Sequence, residues 1–382
     1  MSASVSGRVR GRDPATGRGV EVRFEDGAVT GVEACADAPA DWVSAGLVDL
    51  QVNGYGGIDL NDGALTAERV TDLARLLWTR GVTTFLPTLI TASEDSLTCA
   101  LAAIAKARRG DPRLARSIPG IHVEGPFISP ADGPRGAHPA AHVRPPDPAE
   151  VARWQAACGD LVRMVTISPH WDGTAEFVRA MDAGGVQVAL GHTDADPEMI
   201  LAAVDAGARL STHLGNGASA MLPRHPNLIW TQLADDRLTA SFIADGHHLP
   251  AAPFKAMLRA KGPERAVLVS DSVALGGMPP GIYDTPIGGR VELREDGWLG
   301  TPGTPYLAGS PRSLSEAVAI AAVMAELSLA DALELATVNP GRFVGRRGAL
   351  EVGAPADIIT FGWAPGAHEL AVSGTWLGGE RV

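Results

Sequence analysis

Between residues 46 and 345, short apolar runs rich in β-branched residues alternate with longer stretches whose apolar positions recur every three or four residues. The short runs LVDLQVN, TTFLPTL, GIHVEG, RMVTIS, VQVALGH, RLSTHL, ASFIADG and AVLVSDS predict eight strands. The longer stretches predict helices over 67–79, 94–109, 148–157, 174–183, 197–206 and 251–261. Several of these begin after Thr, Ser, Asp or Pro and stop at Gly, as capped helices do. Eight strands separated by helices make an α/β chain, either a (β/α)8 TIM-type barrel or a doubly wound sheet. No G-x-G-x-x-G fingerprint sits at a strand–helix turn, which favours the barrel.

Residues 1–45 and 346–382 have a different texture, with short alternating runs punctuated by glycine and aspartate. They predict a small β-sandwich domain formed by the N- and C-terminal segments, with the barrel occupying 46–345. Two connections are long: PFISPADGPRGAHPAAHVRPPDP after the third strand, and the stretch from 274 to 310 after the eighth, which is expected to hold a hairpin. Long loops at one end of a barrel usually carry function.

Composition narrows the class. A hydrophobic content of 45% supplies a substantial core, and a net charge of −12 argues against a nucleic-acid surface. The three cysteines, Cys35, Cys99 and Cys158, form no C-x-x-C pair and read as small core residues of a reduced protein. No secretory signal is visible at the N-terminus and no stretch spans a bilayer, so the expected location is cytoplasmic and no membrane partner is expected.

The strand ends carry the chemistry. Strand one ends in Gln51 and Asn53, strand three in Glu124, and strand five in His192 and Thr193. Strand six ends in His213 with Asn216, strand seven in Asp245, His247 and His248, and strand eight in Asp271. In a barrel these ends converge on one face. Each residue alone has an ordinary explanation, such as a hydrogen-bonded core histidine or a capping aspartate. One shared site explains Glu124, His192, His213 and Asp271 together. Two imidazoles and a carboxylate suit zinc or another first-row divalent ion and leave a position for water. Asp271 can then move the water proton to a leaving amine, which is the chemistry of amide hydrolysis.

The segments AGLVDLQVNGYGGIDLND, TTFLPTLIT, GIHVEGPFISP, GAHP, GHTDA, STHLGNGA, FIADGHHL, VLVSDSVAL and GALEVGAPADII resemble the N-acetylglucosamine-6-phosphate deacetylase family of the amidohydrolase superfamily. The resemblance runs in order from about residue 46 to 360. It implies one divalent ion per subunit on Glu124, His192 and His213, with Asp271 as general base and then acid. It also implies that His138, beside Ala137 in GAHP, stabilises the tetrahedral intermediate.

For substrate binding it points to Asn216, Gly217, His248, the backbone of Leu307, Ala308 and Gly309, and Arg224 reaching across a homodimer interface. Strand one has Gln51-Val52-Asn53 in place of H-x-H, and strand four lacks a lysine, so a single-metal site is expected. Asp59 and Asp62 are then turn residues. Departures from the family pattern cluster on the substrate side: Asn216-Gly217-Ala218 replaces N-A-M, and Arg224-His225-Pro226-Asn227 replaces R-E-P-G. Arg312 reads as a surface residue rather than an anion contact.

The expected activity is deacetylation of an N-acetylated amino sugar phosphate. The alternatives are the same chemistry on an unphosphorylated amino sugar or other N-acyl metabolite, and an inactive sugar-phosphate-binding barrel. The last would be expected to have lost the base or a ligand, and this chain keeps all four.

Overall fold

The computed structural model describes residues 6–382. Eight parallel strands run in sequence order around a barrel: Leu47–Val52, Val82–Ile90, Ile121–Glu124, Val162–Ile167, Gln187–Leu190, Leu210–Ser211, Thr239–Ile243 and Ala266–Val269. They are called strands one to eight below. Strand eight meets strand one through the Val52–Ser272 bridge and the Asp271 N–H to Gln51 carbonyl bond of 3.1 Å. The barrel is thus nearly closed.

All eight predicted strands and all six predicted helices are present. The helices end within a residue of expectation because their caps are local: Thr66 accepts from the Arg69 amide, and Val70, Leu73, Ala74 and Leu77 form the buried stripe behind it. Helices at Pro112–Ser117, Leu228–Ala234 and Leu314–Ala325 were not anticipated. The last is apolar nearly all round, so no amphipathic period announces it.

The strands are buried on both faces, which is why they read as near-continuous apolar runs. One face packs on the helices, through residues such as Phe85, Val123, Ile167, Phe242 and Leu268. The other fills the lower barrel with Val48, Leu50, Leu86, Met164, Ala189, Leu210, Ile243, Val267 and Val269. That plug is the floor on which the polar site rests.

The terminal segments supply the second sheet, a single mixed sheet of seven strands. Four come from the N-terminal side (Ser6–Arg12, Gly19–Glu25, Ala28–Ala34, Trp42–Ala45) and three from the C-terminal side (Ile358–Gly362, Ala371–Leu377, Glu380–Arg381). It encloses its own apolar cluster around Val22, Phe24, Val43 and Ile358. The first five residues of the N-terminal segment lie outside the described range. The cysteine expectation needs correcting: only Cys158 is buried, Cys35 is half-buried and Cys99 is exposed, because Cys99 lies on the outer side of its helix. Among the described residues no helix is long and apolar enough to cross a membrane.

The connection after strand eight holds three short antiparallel strands, Gly281–Thr285, Gly289–Leu293 and Leu299–Gly300, rather than a simple hairpin. Leu275, Val291, Leu293 and Leu299 form a small core beneath them. This flap roofs the C-terminal mouth of the barrel.

Candidate metal centre

Glu124 arrives at the mouth by simple alternation, Asp271 from a left-handed residue just past its strand. On strand three Val123 faces the helices, so His122 and Glu124 face inward. On strand eight Val267 and Val269 face inward, and Asp271 follows two residues past the strand's end.

His192 and His213 lie just past their strands and depend on strained backbone. Their φ angles are +48° and +29°, and Asp271 has +47°, a region that residues with a side chain seldom occupy. Gly191 precedes His192 where a Cβ would come within 2.7 Å of Thr212, so strand five can bend only on glycine there.

These turns bring the buried side chains of Glu124, His192 and His213 together. His213 Nε2 lies 3.0 Å from Glu124 Oε1 and 3.1 Å from His192 Nε2, and His192 Nε2 lies 3.3 Å from Glu124 Oε1. A tetrahedron with ligand bonds of roughly 2.0–2.1 Å has edges of about 3.3 Å, so three donors at this spacing fit one face around a single ion. His192 Nδ1 donates to the Pro134 carbonyl at 2.8 Å, which fixes its tautomer and turns the Nε2 lone pair inward. The donor set therefore fits a divalent transition metal. Burial raises the Glu124 carboxyl, but the close imidazoles of His192 and His213 outweigh it and hold the group well below the usual range.

Around the triad sit groups expected at the strand ends. Asp271 Oδ1 accepts from Asn53 Nδ2 at 2.7 Å and from Gln51 Nε2 at 3.0 Å, and Gln51 Nε2 also reaches Glu124 Oε1 at 2.9 Å. Burial, then the neighbouring Glu124 charge, pushes Asp271 up to about 6. His138 Nε2 lies 3.9 Å from Glu124 Oε2, and its Nδ1 lies 2.9 Å from Thr91 Oγ1. Burial, then the charge of His192, lowers His138 to about 3, so it is neutral at physiological pH.

Below the triad, His122 Nδ1 donates to the Leu50 carbonyl, and its Nε2 meets Thr166 Oγ1 at 2.7 Å. Thr166 in turn lies 2.8 Å from Thr212 Oγ1. Burial keeps His122 near 4, a neutral strut rather than a ligand.

The mouth forms a cavity of about 340 Å³. Its floor holds Glu124, His192, His213 and Asp271, and its walls include Ala137, His138, Asn216, Gly217 and His248. Leu307, Ala308 and Gly309 line the flap side with Ile287, Val291 and Tyr306. Gly217 has φ +56° and a Cβ there would meet His192 Nδ1 at 2.9 Å, so glycine lets this loop lie against the ligand ring. His248 Nδ1 lies 2.6 Å from Asp245. Burial raises Asp245, but the His248 hydrogen bond and charge bring it down to about 2.

Arg224 is exposed and does not line the cavity of its own chain, whose lining contains no lysine or arginine among the described residues. Arg312 is only part exposed; it pairs with Glu316 at 2.8 Å and donates to the Asp296 carbonyl, pinning the flap's turn. Asp59 and Asp62 accept from the Asn61 and Ala64 amides as turn residues do, and Asp59 also lines the cavity. No pattern along the chain singles out Thr91, whose one signal is its place at the end of the TTFLPTLIT run.

The amidohydrolase family model matches residues 42–382, so the chain is a hydrolase of the amidohydrolase family. Within it, the chain belongs to the N-acetylglucosamine-6-phosphate deacetylase family, whose similar members are named for either epimer. It is 32% identical to the N-acetylglucosamine-6-phosphate deacetylase of Bacillus subtilis, over 84% of this chain and 81% of that one. It is 31% identical to the N-acetylgalactosamine-6-phosphate deacetylase of Escherichia coli O157:H7, over 94% of each. A mutant N-acetyl-D-glucosamine-6-phosphate deacetylase from Mycobacterium smegmatis, solved in complex with N-acetyl-D-glucosamine-6-phosphate, superposes with a TM-score of 0.87. That comparison covers 98% of this chain and 99% of the other, at 30% identity.

Proposed function

We propose that this enzyme hydrolyses the acetamide of an N-acetylated amino sugar 6-phosphate, N-acetylglucosamine 6-phosphate first, releasing acetate and the free amine. The observation that carries it is the buried Glu124–His192–His213 triad with Asp271 beside it on the floor of a roofed cavity. Support for the sugar phosphate comes from the relatives, whose names divide between the glucosamine and galactosamine epimers.

Glu124, His192 and His213 would hold one divalent ion, zinc by its donor set. When bound it would supply Lewis acidity for an acyl oxygen and lower the pKa of a water towards about 7. Asp271 takes the proton of the attacking water as its oxygen bonds to the acyl carbon. It returns that proton to the nitrogen as the carbon–nitrogen bond breaks. In the tautomer whose Nδ1 accepts from Thr91, neutral His138 carries its proton on Nε2 and offers it to the acyl oxygen as negative charge develops there.

Asn216, Gly217 and His248 hold the distal end of the sugar, and the backbone of 307–309 closes over it. A phosphate there needs a fixed cation that the cavity's own chain does not provide, and the exposed Arg224 of a second copy supplies it in a homodimer. The same lack of a lining cation favours the second reading, an unphosphorylated amino sugar.

The test is amine release by metal-loaded enzyme from the two 6-phosphate epimers and from free N-acetylglucosamine, with Arg224→Ala in parallel. We expect a 6-phosphate to be preferred and the variant to lose that preference. Equal kcat/KM on the free sugar, untouched by Arg224→Ala, overturns the phosphate reading. No hydrolysis of any of them by enzyme holding one metal per chain overturns the activity.

A further inference from the structure

We infer that Gln51 and Asn53 are positioning residues that hold the base: their two amide groups occupy Oδ1 of Asp271 and leave Oδ2 as the oxygen that carries the proton. The inference rests on Asp271 acting as proposed above.

Both contacts fall on the same oxygen, Asn53 Nδ2 at 2.7 Å and Gln51 Nε2 at 3.0 Å. A carboxylate oxygen has two in-plane lone pairs, and two N–H donors use both. The carboxylate plane is then fixed, and a proton arriving from water finds only the other oxygen free. Neither amide titrates in the working pH range, so neither competes for the proton as an imidazole would.

Gln51 performs a second task with the same NH2 group. It also donates to Glu124 Oε1 at 2.9 Å, which places a neutral donor between two carboxylates on the cavity floor. Asn53 fulfils its part at a cost, because its own Oδ1 is buried without a partner. The side chain is oriented for Asp271 rather than for its own full satisfaction. The backbone supports the pair. Strand one slips register against strand two between Asp49 and Val52, which turns Gln51 into the site. The Asn53 amide then bonds the Ser272 carbonyl at 2.8 Å, next to the base.

The experiment is a double-mutant cycle on metal-loaded enzyme with N-acetylglucosamine 6-phosphate, using Asn53→Ala, Asp271→Ala and the double variant. The metal affinity of each stripped protein is measured by chelator competition. We expect Asn53→Ala to lower kcat by about 10- to 100-fold, as misplacing a reacting group does. KM should stay within about twofold, and so should the metal Kd, since Asn53 touches no ligand. Added to Asp271→Ala, it should cost nothing further.

The inference is overturned if Asn53→Ala keeps the wild-type kcat, if it costs as much without Asp271 as with it, or if its metal Kd weakens about tenfold. Should Asn53→Ala fail to fold, Gln51→Met removes the other donor at similar volume and is read by the same cycle. If Asp271→Ala itself retains the wild-type rate, it is the base assignment that fails, which separates the two readings.

Discussion

Asp49 offers a measurable consequence of how strands one and eight are joined. Its Oδ1 accepts from the Gln51 and Ser270 amides, both at 3.2 Å, while Oδ2 is buried with no partner. Burial pushes its carboxyl from an ordinary 3.8 up to about 7. The unfolded chain therefore releases this proton about three pH units before the native chain does, at about 1.4 kcal/mol for each unit. The native state holds the extra proton over that range. This group's contribution to stability is full below about pH 4, falls as pH rises towards 7, and is flat beyond; the whole span is worth roughly 4 kcal/mol.

Asp49→Asn has no proton to lose. It keeps the oxygen that joins the strands and replaces the orphaned Oδ2 with an orphaned NH2, at a pH-independent cost of about 1–3 kcal/mol. The unfolding free energy of the variant relative to wild type should thus climb by roughly 3 kcal/mol between about pH 5 and pH 8. All other titrating groups are common to both proteins and largely cancel. Urea denaturation of the metal-free proteins across that range reads the difference directly. A difference that stays constant to within about 1 kcal/mol would refute the claim that Asp49 is protonated in the native barrel.

Two further outcomes follow from the site. Asp271 must be ionised to take a proton, and its carboxyl sits near 6 before any bound cation draws it lower. kcat/KM should therefore fall on the acid side at and below about pH 6, with metal lost as the histidines protonate; full rate and full metal content at pH 4.5 would contradict this. Thr91→Val removes the hydroxyl that meets His138 Nδ1 at 2.9 Å and should lower kcat by about tenfold at unchanged metal content, with Thr91→Ser restoring it. A Thr91→Val rate within twofold of wild type would remove Thr91 from the mechanism.

The barrel and much of its chemistry are readable along the chain. Strand runs and helix caps are local signals, so eight strands and six helices could be read from period and punctuation. Glu124 was legible because it continues an inward row by simple alternation, and Asp271 because it closes the apolar AVLVSDS run. The donor set was legible because a carboxylate and two imidazoles at strand ends have few other joint uses.

How those donors meet depends on the closed barrel. Alternation does not bring His192, His213 or Gln51 into the site. Two left-handed turns and a register slip do, and each is held by contacts with neighbouring strands that no local pattern encodes. The same holds for Thr91, which matters only because the loop carrying His138 folds back 47 residues further on. It holds too for the flap, whose small core forms only against the barrel mouth it covers. Chemistry that depends on residue type was written along the chain. Chemistry that depends on a few tenths of an ångström between residues far apart in sequence had to wait for the closed barrel, whose packing fixes those distances.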